Sequence, residues 1–389
     1  MRKKIWLGLL AVLGVVGAIA LGYYFQPSAS VRSVASTAPG TVVRNPVSDL
    51  KLETKETETN PGFPKNRVSS ELAAVAPASE VSPERLMADV EALAFERYND
   101  RDRSKARDYI AEQLRAAGWE PKQQEFEGGV NLYADRPGSD PEAGTILVAA
   151  HYDTVALSPG ADDNATGVAT VLEVARLLGD RPTPRSLRVA FFDLEEIGLL
   201  GSIAFAGDEQ LRQDLEGVIV LDMVGYGCYI PGCQKYPSGL AIAKPSDKGD
   251  FLAAIGDAEH MPLLDAFEPK VRTQTGAQTG ENQNSDSSSV LRPALTPVFS
   301  FAVPLGGVLT PNLMRSDHAP FWYWGIGAVL LTDTANFRSP YYHEPSDIPA
   351  NIDRPFFIGS ARTTVNAVSR LLESRESLAS PPASPNSKY

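Results

Sequence analysis

The stretch from Thr145 to Leu178, TILVAAHYDTVALSPGADDNATGVATVLEVARLL, constrains this chain more than any other. Ile146 to Ala150 is an uninterrupted apolar run with the length and β-branching of a strand buried on both faces. It stops at His151, Tyr152 and Asp153, which places a histidine at the carboxyl end of a core strand. A loop with Pro159 and Gly160 then delivers Asp162, Asp163 and Asn164, and an amphipathic run to Leu178 reads as a helix packed on the sheet. Carboxylates therefore converge on one imidazole, in the crevice beyond the strand ends where open α/β sheets bind ligands. Burying several such charges together is costly, and a divalent cation is the simplest relief.

The same alternation continues along the chain. Strand-like runs at 121–126, 131–134, 187–192, 218–221, 298–301 and 328–332 are interleaved with helical patterns at about 104–117, 165–178, 199–206 and 355–372. The first helix is expected at Ser82-Pro83-Glu84, which supplies an N-cap, a proline in the first turn and an acid beside it. This order predicts an α/β fold, a three-layer α/β/α arrangement around a central, mostly parallel mixed sheet. Neither a composition change nor an internal repeat divides residues 82–375, so a single domain is expected there.

The flanks differ. Arg2, Lys3 and Lys4 precede an apolar segment over residues 5–25 that carries no charge. At about 1.5 Å per residue it just spans a hydrocarbon core of roughly 30 Å, while Ala18 and Ala20 form a cleavage signal, so residues 1–25 read equally as an anchor and as a removed signal peptide. Either reading predicts an exported protein, periplasmic or extracellular, with a membrane contact if the segment is retained. Residues 26–81 are rich in Ser, Thr, Pro and Asn and read as a disordered linker, and residues 376–389 as a disordered tail. A net charge of −12 excludes nucleic acid as a partner, because phosphate binding needs clustered Lys and Arg. The two cysteines, Cys228 and Cys233, read as a short-loop disulfide in an exported protein, worth about 2 kcal/mol on a loop-entropy basis. Oligomeric state leaves no mark in the sequence.

Chemistry-bearing residues recur at the ends of the predicted strands. Of four histidines, His151, His318 and His343 have acidic neighbours of the kind found in metal sites, whereas His260 in DAEHMP does not. The run Leu187 to Phe192 leads into Asp193-Leu194-Glu195-Glu196; in extended chain Glu195 and Glu196 point to opposite sides, so one can ligate while the other faces a substrate. The run 218–221 ends in Asp222. Asp153, two residues after His151 and on the same side of an extended chain, is placed to hold the imidazole tautomer. Asp162 reads equally as solvated and as a support of the site. Ser316-Asp317-His318 is expected to shape the loop beside the substrate, since no G-x-S-x-G elbow supports a catalytic triad. Trp322, Tyr323 and Trp324 read as core, and Tyr226, Tyr229, Tyr341 and Tyr342 as candidates for a pocket wall.

Taken together, AAHYDT, PGADDNATG, FFDLEEIGLLGS, IVLDMVGY, RSDHAPF and YYHEPSD resemble the signature of the zinc exopeptidases that include the bacterial leucyl aminopeptidases, with glutamate carboxypeptidase and glutaminyl cyclase as relatives. The resemblance covers about residues 82–375. It implies that Asp163 bridges two Zn2+ ions, one also held by His151 and Asp222 and the other by Glu196 and His343. It further implies Glu195 as general base and a cis peptide between Asp163 and Asn164. Three ligand carboxylates and one hydroxide would balance two divalent cations, and the nitrogen and oxygen donors suit zinc, with manganese or cobalt as substitutes. The implied substrate is a peptide with a free N-terminus. Cyclase or carboxypeptidase chemistry on the same fold, and a binding module on an inactive one, are the alternatives.

Overall fold

The computed structural model describes residues 81–237, 244–268, 295–307 and 310–380. The leader expected at 1–25, the linker expected at 26–81 up to residue 80 and the tail from 381 onward lie outside them. Helices α1 (Pro83–Leu93) and α2 (Asp100–Ala116) lead into β1 (Lys122–Phe126) and β2 (Gly129–Arg136). Then follow β3 (Thr145–His151), α3 (Gly167–Leu178), β4 (Ser186–Phe192), α4 (Leu200–Gly207) and β5 (Leu215–Leu221). The chain ends with β6 (Leu252–Asp257), β7 (Val298–Val303), α5 (Ala319–Tyr323), β8 (Ala328–Thr332) and α6 (Arg354–Glu373).

One sheet of eight strands runs in the order β1-β2-β4-β3-β5-β8-β6-β7. Its centre, β4-β3-β5-β8, is parallel, and antiparallel pairings occur at β1-β2, β2-β4 and β6-β8. All seven residues of β3 are buried, which is why its sequence is apolar without alternation. Ile146, Val148 and Ala150 face a core built with α1, α2, α3 and α6, while Leu147 and Ala149 face a second core with α4 and α5, where Phe205 and Phe321 pack on Phe192. This is the expected three-layer arrangement.

The local chemistry of the helix starts is as read for α1, where the Ser82 side chain accepts from the Arg85 amide. For α2 the helix begins at Asp100 rather than Ser104, because Asn99 caps the Asp102 amide and the first turn is wholly charged, leaving no apolar period to mark it. Strand β6 was not foreseen. Its sequence, LAAIGD, lacks alternation and holds a single β-branched residue, Ile255, and it becomes a strand by pairing with β7 on one side and β8 on the other. The ordered chain also continues beyond Arg375. Leu378 is 3% exposed over Gly217, where any Cβ would come within 3.2 Å of it, and the Ser380 amide donates to the Glu259 carbonyl at 2.6 Å. Residues 376–380 therefore belong to the folded domain; one buried leucine outweighs their polar composition. Among the described residues no helix is long and apolar enough to cross a membrane.

Candidate metal centre

Parallel pairing of β3 with both β4 and β5 brings three strand carboxyl ends to one edge of the sheet. The connection from β3 to β4 runs one way along the sheet and the next, from β4 to β5, runs back past β3, which opens a crevice at a topological switch point. His151 is the last residue of β3, Asp222 follows the last residue of β5, and Glu195 and Glu196 lie three and four residues beyond β4. Asp163 comes from the loop between β3 and α3, and His343 from the connection between β8 and α6.

These residues meet. Asp163 Oδ1 lies 3.4 Å from His151 Nε2, which is also 3.6 Å from Asp222 Oδ1. Asp163 Oδ2 lies 3.3 Å from His343 Nε2, which is 3.0 Å from Glu196 Oε2. The two oxygens of one carboxylate thus face two separate donor sets, His151 with Asp222 and His343 with Glu196. Each set together with Asp163 has its ligand atoms within 4.8 Å of one another. His151 and Asp163 are buried, whereas the side chains of Asp222 and His343 are 18% and 26% exposed, so the cluster opens to solvent on that side. His343 is held at φ +61° in the left-handed region, and so are Leu194 (+58°) beside Glu195 and Met223 (+52°) beside Asp222. Such strain in non-glycine residues gathers at functional sites. The peptide between Asp163 and Asn164 is cis, as the resemblance implied.

The donor set suits divalent metal. It contains only nitrogen and oxygen, and Glu196 Oε1 is buried with no hydrogen-bond partner. Electrostatics agree. Burial opposes charge on His343, but Asp163 and Glu196 overcome it and raise the imidazole to about 10. Burial, with Asp163 beside it, raises Glu196 to about 7. Burial also lifts Glu195 well above the ordinary carboxyl range. The pocket holds more negative charge than its protein groups can neutralise, a state that cations relieve.

Asp153 supports both histidine and glutamates. Its Oδ1 lies 3.5 Å from His151 Nδ1, and the amides of Glu195 and Glu196 donate to its two oxygens at 3.1 and 3.2 Å. The Asn164 side chain donates to the Leu221 carbonyl at 2.8 Å and accepts from the Met223 amide at 3.2 Å, fixing the backbone on either side of Asp222. Asp162 points away from the donor atoms. Its Oδ1 accepts from Gly225 N and Thr166 Oγ1, and burial beside Asp333 raises its carboxyl strongly.

Other candidates separate. His318 is buried, its Nε2–H donates to the Leu313 carbonyl at 2.8 Å, its ring packs edge-on against Trp322, and burial lowers it to about 4; it is not part of a triad. Asp317 is fully buried beside the centre, and burial raises it to about 7. Trp322 is core, its indole donating to Ala328, but Tyr323 and Trp324 are on the surface, contrary to the core reading, because α5 ends there. Tyr342 stacks on His343 at 3.7 Å between centroids, and Tyr226 meets Tyr341 edge-on at 5.6 Å. Tyr229 is 54% exposed. Cys228 and Cys233 form the expected disulfide in the loop after Asp222. His260 pairs with Asp257 at 2.5 Å, apart from the donor sets.

Two supporting residues carried no signal in the sequence. Asp347 accepts from the amides of Asp162 and Asp163 at 2.8 and 2.9 Å, and its own carbonyl accepts from Ala161. Arg97, 1% exposed, lies beneath the same loop. An acid two residues beyond a turn proline and an arginine between helices are commonplace, and only the fold assigns them partners.

A model of peptidase family M28 matches residues 131–368, more than half of the chain. Among curated proteins, the chain is 30% identical over 230 residues to the uncharacterized protein YfbL of Escherichia coli (strain K12), a match covering 56% of this chain and 63% of that protein. It is 39% identical over 136 residues to aminopeptidase YwaD of Bacillus subtilis (strain 168), covering 31% of this chain and 30% of that one. The chain thus spans less than two thirds of the length of these relatives. Among solved structures, an aminopeptidase from Aneurinibacillus sp. strain AM-1 shares the fold, with a TM-score of 0.55 at 16% identity over 78% of this chain and 97% of that one.

Proposed function

The chain belongs to peptidase family M28, and from that premise we propose that it is an aminopeptidase that releases N-terminal residues from peptides at a two-zinc centre. The observation that carries the reading is the carboxylate of Asp163, with one oxygen toward His151 and Asp222 and the other toward His343 and Glu196. These five residues would hold the ions, for which manganese or cobalt are the natural substitutes. Bound there, a pair of divalent cations supplies Lewis acidity for the scissile carbonyl and lowers the pKa of water.

The remaining work falls to side chains. Glu195, buried at the same cluster and held through its amide by Asp153, takes a proton from the attacking water and returns it to the leaving amine. Asp153, its Oδ1 3.5 Å from His151 Nδ1, draws that side of the imidazole and so keeps Nε2 directed at the donor set. The half-open side at Asp222 and His343, walled by Tyr342, gives a peptide N-terminus access to the centre. Export is part of the proposal and rests on the apolar segment at 5–25 and on the disulfide, which persists in oxidising compartments.

The test is release of chromophore from an aminoacyl anilide by the purified full chain, with and without a strong chelator, together with metal analysis. Chelator-sensitive turnover with two ions per chain supports the proposal. Turnover that survives complete metal removal, or none under either condition, overturns it. A content of one ion per chain with cyclisation of an N-terminal glutamine would favour the cyclase alternative instead.

A further inference from the structure

Arg97 sits in the connection between α1 and α2, outside the region matched by the family model, and it is the largest of the fully buried side chains together with Arg185. A guanidinium with no water around it must spend its donors on protein acceptors. Arg97 does so on backbone carbonyls around the metal centre. Its Nε donates to Tyr152 O at 2.6 Å, its Nη1 to Pro159 O at 2.8 Å, and its Nη2 to Gly160 O at 2.9 Å. Its backbone amide donates to Thr154 Oγ1 at 2.9 Å.

Nη1 also donates to the Leu93 carbonyl and, at 3.0 Å, to the Phe95 carbonyl, both in the segment that carries Arg97 itself; the acceptors beyond that segment fall into two groups. Tyr152 and Thr154 flank Asp153 at the end of β3, directly after His151. Pro159 and Gly160 begin the loop that carries Asp163, three residues on. Gly160 adopts φ +62°, and a Cβ there would lie 2.3 Å from the Asp163 carbonyl and 2.7 Å from Arg97 Nη2, so the loop closes directly on the guanidinium. From the other side Asp347 grips the amides of Asp162 and Asp163. Carbonyls are held from one direction and amides from the other, leaving this segment little freedom.

We infer that Arg97 is a positioning residue for the metal centre, joining the strand end that bears His151 to the loop that bears Asp163, so that one carboxylate reaches both donor sets. The inference rests on the two-metal reading above. A charge argument runs alongside: burial lowers the guanidinium only to about 10, against the pull of Asp347, Asp153 and Asp163, so it stays cationic at neutral pH and offsets part of the local negative charge. Lysine at this position would retain the charge but not the planar fork that reaches both acceptor groups at once.

The experiment compares the full chain with Arg97→Lys and Arg97→Met, each metal-stripped and checked for native circular dichroism. Zn2+ is titrated calorimetrically, and the Co2+-loaded proteins are compared by visible absorption. Wild type is expected to take two ions, and Arg97→Lys to bind them about tenfold or more weakly with an altered Co2+ spectrum. Arg97→Met is expected to lose more. A purely structural arginine would lower thermal stability in both variants while leaving the Zn2+ affinity and Co2+ spectrum of the folded protein as in wild type, and that result overturns the inference. If Arg97→Met does not fold, Arg97→Lys decides alone. Wild type that takes up no metal overturns the functional reading itself, whereas unaltered variants beside a two-ion wild type overturn only the role of Arg97.

Discussion

At the scale of single residues, the acidic groups at the centre differ in what they face rather than in what they are. Asp163 presents an oxygen to each histidine, Asp153 takes two backbone amides, and Asp162 turns to Gly225 and Thr166. Glu196 touches His343, whereas Glu195 forms no ion pair with either histidine; the segment is a turn, with Leu194 at φ +58°, rather than the extended chain expected, and both carboxylates lie within reach of His151. Glu195→Gln should therefore keep the fold and metal content and lower kcat by about 10^2- to 10^4-fold, measured by steady-state anilide hydrolysis beside metal analysis. Loss of metal in that variant would place Glu195 among the ligands instead. The candidate ligands at the strand ends were legible because histidine and carboxylate directly after apolar runs are uncommon. Asp347 and Arg97 were not, since each acts on backbone groups that lie 185 and 63 residues away at the farthest, and backbone groups have no letter in a sequence.

At the scale of elements, periodicity located every central strand but β6. Strands β3, β4 and β5 are buried on both faces and announce themselves as apolar runs; β6, with two alanines, a glycine and a single β-branched residue, takes its strand character from its neighbours. Two contacts hold this side of the sheet and can be tested. His260 joins the end of β6 to the strand beside it, through Asp257, whose other oxygen accepts from the Ala328 amide at 3.3 Å. The hydrogen bond to Asp257 raises the His260 pKa despite opposing burial. A folded pKa above the unfolded one means that the stabilisation is complete below the unfolded value and is lost as pH rises through the folded value. The difference in melting temperature between wild type and His260→Ala should thus be largest near about pH 5 and shrink at alkaline pH; a gap that widens with pH would contradict the pairing. The second contact is Leu378, buried over Gly217. Leu378→Ala should cost about 2 kcal/mol or more in urea unfolding, whereas a loosely attached tail would leave the midpoint unchanged.

At the scale of the whole molecule, the centre joins residues from β3, β4, β5 and two long connections, so ions bound there bridge most of the sheet. Ligands that bind only the folded state stabilise it by mass action, about 2.7 kcal/mol at a hundredfold excess over Kd. The zinc-loaded protein should melt above the stripped protein, with the increment growing as free Zn2+ rises, in scanning calorimetry; equal transitions would deny the site its metal. The sequence alone determined the α/β class, the strand-end positions of His151, Glu196 and Asp222, and the chemistry these donors favour, because burial of a strand and the identity of its last side chain are both local properties. Only the tertiary structure decided that Asp163 faces both histidines and that Arg97 and Asp347 hold its loop between them. Those arrangements depend on where separate segments come to rest against one another, and hydrogen bonds between distant backbone groups are set by packing rather than by any local pattern.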